Sequence, residues 1–431
     1  MLRLSRTAAA SLLFVSTTAF PSSIVNRSAA AFRSVLLLSS SSHFVPRQIF
    51  LGQATALLTT TSFAMNTIDK DSCEPAMDIS KPLSLLESVY GPISSNSFPL
   101  PMNSDEAGLC ADGHQRRYLW TDAFGVLAYT SIADLLETNG NAEEAKRYRE
   151  ASSTLIDTVH KCLGSPRSSD KIDAMKVDSS SPTGHVGLRI GKVNTRKVTD
   201  YGMGYDGQYW HYIDKWLLAL SRSGQVDAGI RIAKSCFPAF FDAGDGSGFN
   251  GGIRWKLSVD STAPPPLRSA DASDDTLVAL IVFSILEANK AGDTPSLANE
   301  IQQLTNALAD YRPRVTDDPL GWGLEAMYDQ FISGRPRTRT LAAIHPRALH
   351  PSHLSLPFRL YGAMIGAKIA GEAVAPPDKV DELIKLSLKH EKDATERGYE
   401  EHSSINRVML AMCMLCPGAL GKRPTDPTIV I

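Results

Sequence analysis

No acidic residue occurs before Asp69, and that absence divides the chain into a leader and a body. Arg3 and Arg6 precede an apolar run from Ala8 to Phe20, and Arg27, Arg33 and Arg47 follow among Ser and Ala residues. A basic start followed by a short apolar run has the form of a secretory signal, whereas acid-free, Arg- and Ser-rich sequence has that of an organelle transit peptide. The run is too short to span a bilayer as a permanent helix.

The chain as a whole lacks a basic excess. It carries 44 Lys and Arg against 46 Asp and Glu, a formal net charge of -2, which excludes the basic footprint of a nucleic-acid binder. The six cysteines (Cys73, Cys110, Cys162, Cys236, Cys413 and Cys416) are too scattered for a disulfide framework. Cys413 and Cys416 have CxxC spacing but lie in an apolar run ended by Pro417-Gly418, so two buried core thiols are expected. No second cysteine pair completes a zinc site. No segment shows sustained β alternation, which excludes doubly wound and sandwich folds. Aromatic residues make up 7% of the chain and no DDxxD motif occurs, so a carbocation pocket of the terpene-cyclase kind is poorly supplied. No P-loop or dinucleotide fingerprint is found, and no cofactor is expected.

What the body does have is punctuated helical periodicity. Short amphipathic Leu83 to Val89 comes first. Apolar helices are then expected at Thr121 to Leu136, Asp206 to Ser221, Asp274 to Lys290, Leu320 to Ile332, Ser352 to Ala370 and Ser403 to Cys416. Between them run more polar segments: Ala142 to Leu163, Val226 to Phe241, Ser296 to Tyr311 and Lys379 to Lys392. Arg335 to Pro351, basic and broken by prolines, reads as loop, and Ile253 to Leu257 as a hairpin. A helix that is apolar all round belongs inside and one with a single stripe outside. Alternating the two predicts an all-α fold, an (α/α)6 toroid with an inner and an outer ring. The expected division is leader 1–70, linker and short helix 71–116, toroid 117–420 and tail 421–431.

In a toroid the inner helices run parallel, so their starts meet at one mouth. Those starts carry Asp122, Asp206, Asp274 and Glu401, with Trp120, Tyr209 and Trp210 nearby. An aspartate in a first turn caps free N–H groups and suits the helix dipole, which is the structural reading of each. The chemical reading is that two carboxylates facing a pocket act as general acid and base, while rings stack on a sugar. Asp122 and Asp206 are the first pair, with Asp274 and Glu401 in reserve. Gln208, His211, Trp255 and His402 complete the substrate-binding candidates. Arg189 and Lys192, in Gly187-Leu188-Arg189-Ile190-Gly191-Lys192, offer a loop able to hold an anion.

These residues resemble, in order, a family of six-hairpin glycosidase-like proteins. The motifs that carry the resemblance are Trp120-Thr121-Asp122-Ala123-Phe124-Gly125-Val126, the Gly187–Lys192 segment, Asp206-Gly207-Gln208-Tyr209-Trp210-His211-Tyr212, Arg254-Trp255-Lys256-Leu257-Ser258-Val259-Asp260, Asp318-Pro319-Leu320-Gly321 and Glu401-His402-Ser403-Ser404-Ile405-Asn406-Arg407. The resemblance covers about Arg117 to Leu420 and implies the toroid. It does not imply a reaction, since a fold does not confer one. A weaker similarity to unsaturated glucuronyl hydrolases implies aspartates at inner-helix starts. Ser403 stands where the family usually has an acidic residue after the histidine. The expected function is therefore a carbohydrate-active, glycoside hydrolase-like enzyme, with uronic acids among its candidate substrates. The alternative is a non-catalytic glycan- or protein-binding scaffold. The expected ligand is a small molecule or oligosaccharide.

The Thr18-Ala19-Phe20-Pro21 junction resembles the Ala-Phe-Pro junction of complex-plastid leaders. Ile49 to Ala64 resembles a thylakoid-transfer signal. Plastid targeting, possible to the thylakoid lumen, is the expectation and secretion the alternative. N-terminal sequencing of the native protein should therefore find a start close to residue 70, and a start before Ser40 would exclude plastid processing.

Overall fold

The apolar and amphipathic periods of the body become helices in chain order. The computed structural model describes residues 77–102, 108–109, 116–167, 175–192, 206–244, 251–261, 273–309, 315–333, 338–398 and 402–430. All belong to one unit, Cys73–Ile431, and the leader lies outside the described residues. The α-helices are α1 (Ser80–Tyr90), α2 (Leu119–Thr138), α3 (Ala142–Leu163), α4 (Trp210–Arg222), α5 (Val226–Phe240), α6 (Ser273–Ala288), α7 (Ala298–Ala307), α8 (Pro319–Asp329), α9 (Thr338–Ala348), α10 (Pro357–Ala370), α11 (Pro377–Arg397) and α12 (Ser403–Leu415). Strands are confined to two-residue pieces: β1 (Gly108–Leu109), β2 (Arg116–Arg117), β3 (Gln208–Tyr209), β4 (Phe241–Asp242), β5 (Gly252–Ile253), β6 (Lys256–Leu257), β7 (Ile332–Ser333) and β8 (Ile429–Val430). The protein is all-α. Among the described residues no helix is long and apolar enough to cross a membrane.

Burial follows the sequence pattern. α2 and α4 bury nearly every side chain, whereas α3 buries a stripe through Ala145, Tyr148, Ala151, Ser152, Leu155, Ile156 and Val159. Each apolar helix packs on its successor: α2 on α3, α4 on α5, α6 on α7, α8 on α9 and α10 on α11. The apolar helices also pack on one another, α2 on α4, α4 on α6, α8 on α10, α10 on α12, and α12 back on α2. α1, in the segment expected to be a linker, packs against α12 and so supplies it with an amphipathic companion.

Local chemistry sets several boundaries. Asp318 caps α8, its Oδ2 accepting from Gly321 N at 2.9 Å, and Pro319 occupies the first turn where no N–H is missed. Gly398 ends α11 at a φ of 73°, in the left-handed region. Arg335 to Pro351 is not all loop, because α9 occupies Thr338–Ala348 with Pro346 inside it. Proline removes the bond to the carbonyl four residues back. That carbonyl, of Ala342, instead lies 2.7 Å from His345 Nδ1. Ile253 to Leu257 is not a hairpin either. β5 pairs antiparallel with β4, and β6 pairs with β3.

The tail is tied down as well. Arg222, at the end of α4, donates to both carboxylate oxygens of buried Asp426, at 2.8 and 2.7 Å, and to Ala419 O at 3.0 Å. β8 pairs in parallel with β7. Cys162, the penultimate residue of α3, is disulfide-bonded, while Cys236, Cys413 and Cys416 are free and buried. Burial pushes the Cys413 thiol up to about 12, the state of an inert core thiol.

α8 and α10 touch backbone to backbone. A Cβ at Gly323 would meet Gly362 O at 2.1 Å, and one at Gly366 would meet Gly323 O at 2.2 Å. Gly366→Ala should therefore destabilise the protein by roughly 1–3 kcal/mol through overpacking. A urea titration should show a lower midpoint at unchanged slope.

Candidate functional site

The clearest concavity with chemistry in it lies where α4, α6 and α8 converge. His211, Asp214 and Lys215 come from α4, Asp274, Asp275, Leu277 and Val278 from α6, and Gly321, Leu324, Glu325 and Tyr328 from α8, with Thr316 ahead of it. Helical spacing explains the set. His211, Asp214 and Lys215 stand at i, i+3 and i+4, and Gly321, Leu324, Glu325 and Tyr328 at i, i+3, i+4 and i+7, so each group shares one helix face. The pocket is about 200 Å³, smaller than the usual few hundred and suited to a group the size of one ring.

Its electrostatics centre on Lys215, which is 2% exposed. Lys215 Nζ donates to Asp214 Oδ1 at 2.5 Å and sits 4.9 Å from the Tyr328 ring centroid and 5.9 Å from that of Trp120. Burial pushes the Asp214 carboxyl up to about 6, against the pull of Lys215. Burial, then the charge of Asp214, push Asp275 up to about 7, with Asp274 adding and Lys215 opposing. Burial and the Lys215 charge hold His211 down to about 3, so its ring is neutral at physiological pH. Burial and Asp214 also raise the Tyr328 hydroxyl well above its ordinary range. Burial thus raises two neighbouring carboxyls toward neutrality, where each can hold or release a proton. Asp214 Oδ2 and the Tyr328 hydroxyl are both buried without a hydrogen-bond partner among the described residues.

The structure distributes the sequence candidates unevenly. His211 and Asp274 line this pocket. Trp120 borders it through Lys215, with its ring 6.3 Å from that of His211. Tyr209 continues the aromatic cluster, 6.0 Å from His211 and 5.8 Å from Trp255. Trp210 turns away into the core against Phe240 and Phe283. Trp120, Tyr209 and Trp210 are all buried, so none offers a free ring face. His402 stands just before α12 at a φ of 64°, its ring 5.7 Å from Phe358. Glu401 lies outside the described residues.

The first pair, Asp122 and Asp206, is absent from the pocket wall. Asp122 does sit in the first turn of α2, wholly buried, 3.5 Å from Arg117 and accepting from Tyr118 N at 3.3 Å. Burial pushes its carboxyl up to about 6 against the Arg117 charge. Asp206 is not in a helix at all, because β3 pairing with β6 keeps Gln208 and Tyr209 extended and delays α4 to Trp210. Arg167 Nε and Arg189 Nη1 donate to Asp206 Oδ2 at 2.7 and 3.0 Å, and the N–H groups of Gly191 and Lys192 to Oδ1 at 2.8 and 3.1 Å. The Gly187–Lys192 loop thus does hold an anion, and the anion is the chain's own carboxylate. Gly191 has φ 88°, and a Cβ there would meet Arg117 O at 2.1 Å. Gln208 is likewise consumed, donating to Val186 O, Val259 O and Ser261 Oγ.

Asp214, Lys215, Asp275, Glu325 and Tyr328 are the pocket residues that the sequence candidates omit. One signal was available: Asp214-Lys215 is a charged pair inside an otherwise apolar helix, where a charge must be paired or functional. Comparison of the chain with protein-family models, with curated proteins and with solved structures finds no match.

The raised carboxyls also set the pH response. A folded-state value above the unfolded one means that the folded protein holds the proton longer, so stability is full below about 4 and is lost as pH rises through the folded values near 6 and 7. Melting temperature should therefore fall between pH 4 and 8, and Asp275→Asn, a fixed neutral mimic, should flatten that fall and melt above the wild type at pH 8.

Proposed function

We propose that the protein is a carbohydrate-active enzyme of the glycoside hydrolase type, built as an (α/α)6 toroid in the manner of the six-hairpin glycosidase-like family, with Asp214 and Asp275 as its acid–base pair. The observation that carries this reading is that Asp214 and Asp275, both with raised carboxyls, line one pocket beside His211, Lys215 and Tyr328. Protonated Asp275 would donate to a leaving oxygen, and ionised Asp214, held by Lys215, would serve as base or charge stabiliser. His211, Trp120 and Tyr328 would shape the subsite. The helix neighbours support the toroid, since α2, α4 and α6 pack in succession, as do α8, α10 and α12, and α12 returns to α2.

The alternative is a non-catalytic glycan- or protein-binding scaffold. One observation favours it: Asp206, the carboxylate of a distinctive motif, is fully occupied by two arginines and two backbone N–H groups. A disulfide at Cys162 favours an oxidising compartment, and so supports a thylakoid-lumen or secreted location for either reading.

A glycoside panel assayed with four variants separates the readings. Asp214→Asn and Asp275→Asn should slow turnover by roughly 10²–10⁴-fold with the fold intact. Asp206→Asn strands two arginines and should cost about 3–5 kcal/mol of stability. Asp122→Asn should change melting with little effect on the turnover of folded protein. No turnover by the wild type on any glycoside, with binding retained, would leave the scaffold reading standing.

A further inference from the structure

We infer that the ligand of the α4–α6–α8 pocket carries a protonated amine, which under the glycoside reading above makes it an amino sugar. The inference rests on that reading for the sugar and on the pocket's charge and geometry for the amine.

Lys215 is the pocket's built-in cation, and its ammonium is committed to Asp214 Oδ1. It leaves Asp214 Oδ2 without a hydrogen-bond partner on a residue only 1% exposed. The half-buried Asp275 carboxyl faces the same space. Asp274 and Glu325 add carboxylates to the wall. The Tyr328 hydroxyl, on a residue 3% exposed, is a further buried polar atom without a partner. Leaving such buried atoms without a partner is costly, so a ligand that satisfies them is favoured.

The complement of this wall is a donor with positive charge. An ammonium offers three N–H donors and no acceptor, which matches carboxylate oxygens. A carboxylate-bearing sugar would instead place like charge beside Asp214 and Asp275. A bare metal ion is less suited, since no group of three or more metal-ligating side chains occurs among the described residues. Leu277, Val278 and Leu324 give the remaining wall an apolar surface that fits the carbon face of an organic cation. The Tyr328 ring already holds one ammonium, that of Lys215, at 4.9 Å, so the aromatic wall tolerates cations. The uronic acid expected from sequence is thus the wrong sign for this site.

Calorimetric titration of the full chain with glucosamine, glucose, glucuronate and cyclohexylamine at neutral pH tests the two parts separately. Glucosamine should bind at least tenfold more tightly than glucose, and Asp214→Asn should erase that margin. Equal binding of glucosamine and glucose would overturn the amine while leaving the carbohydrate reading intact. Preference for glucuronate would do the same. Binding of cyclohexylamine with no sugar bound would uphold the amine and overturn the sugar. No binding of any probe would overturn both.

Discussion

The buried ammonium of Lys215 sets the terms for everything around the pocket. A charge in the interior must be paired, and Asp214 is the adjacent residue on the same helix that pairs it. That pairing holds a carboxylate where burial alone would protonate it. The carboxylate in turn raises Asp275 and Tyr328, and the ammonium keeps His211 neutral. Burial is the largest cause of each shift and the Lys215–Asp214 pair sets the balance, so replacing the lysine would alter Asp214, Asp275 and His211 together.

Buried carboxylates in this protein fall into two kinds. Asp206 and Asp426 are saturated by arginine and backbone N–H groups, so they fix loops and the tail and have nothing left to offer a ligand. Asp214 and Asp122 are under-satisfied, each keeping one buried carboxylate oxygen without a hydrogen-bond partner. Under-satisfaction is costly, and buried groups that persist in that state are where function is sought.

The helices were legible because apolar period and punctuation are local properties: Ala142–Leu163 has the boundaries that its Asn-Gly-Asn start and Gly164 stop suggest. The start of α4 was not legible, since it depends on β3 meeting β6 some fifty residues later. α9 was hidden by Pro346, whose cost is relieved by the side chain of His345. The site was half legible. His211 and Asp274 could be found as polar residues at helix starts, but motif order pointed to Asp122 and Asp206, and a sequence does not say which carboxylates an arginine has already claimed. The role of Lys215 emerges only from its distances to Asp214 and Tyr328.

The packing of α12 against both α1 and α2 has a consequence for synthesis. α2 has α3 and α4 to pack on, but α1 finds its partner only when the last helix exists. A nascent chain that has emerged as far as α11 holds α1 with its apolar face uncovered and α2 partly covered, awaiting a segment far downstream. Contacts of such sequence separation are slow to form and leave sticky intermediates. Truncation after α11 would therefore strip α1 of its cover, and the ribosome delivers the keystone last.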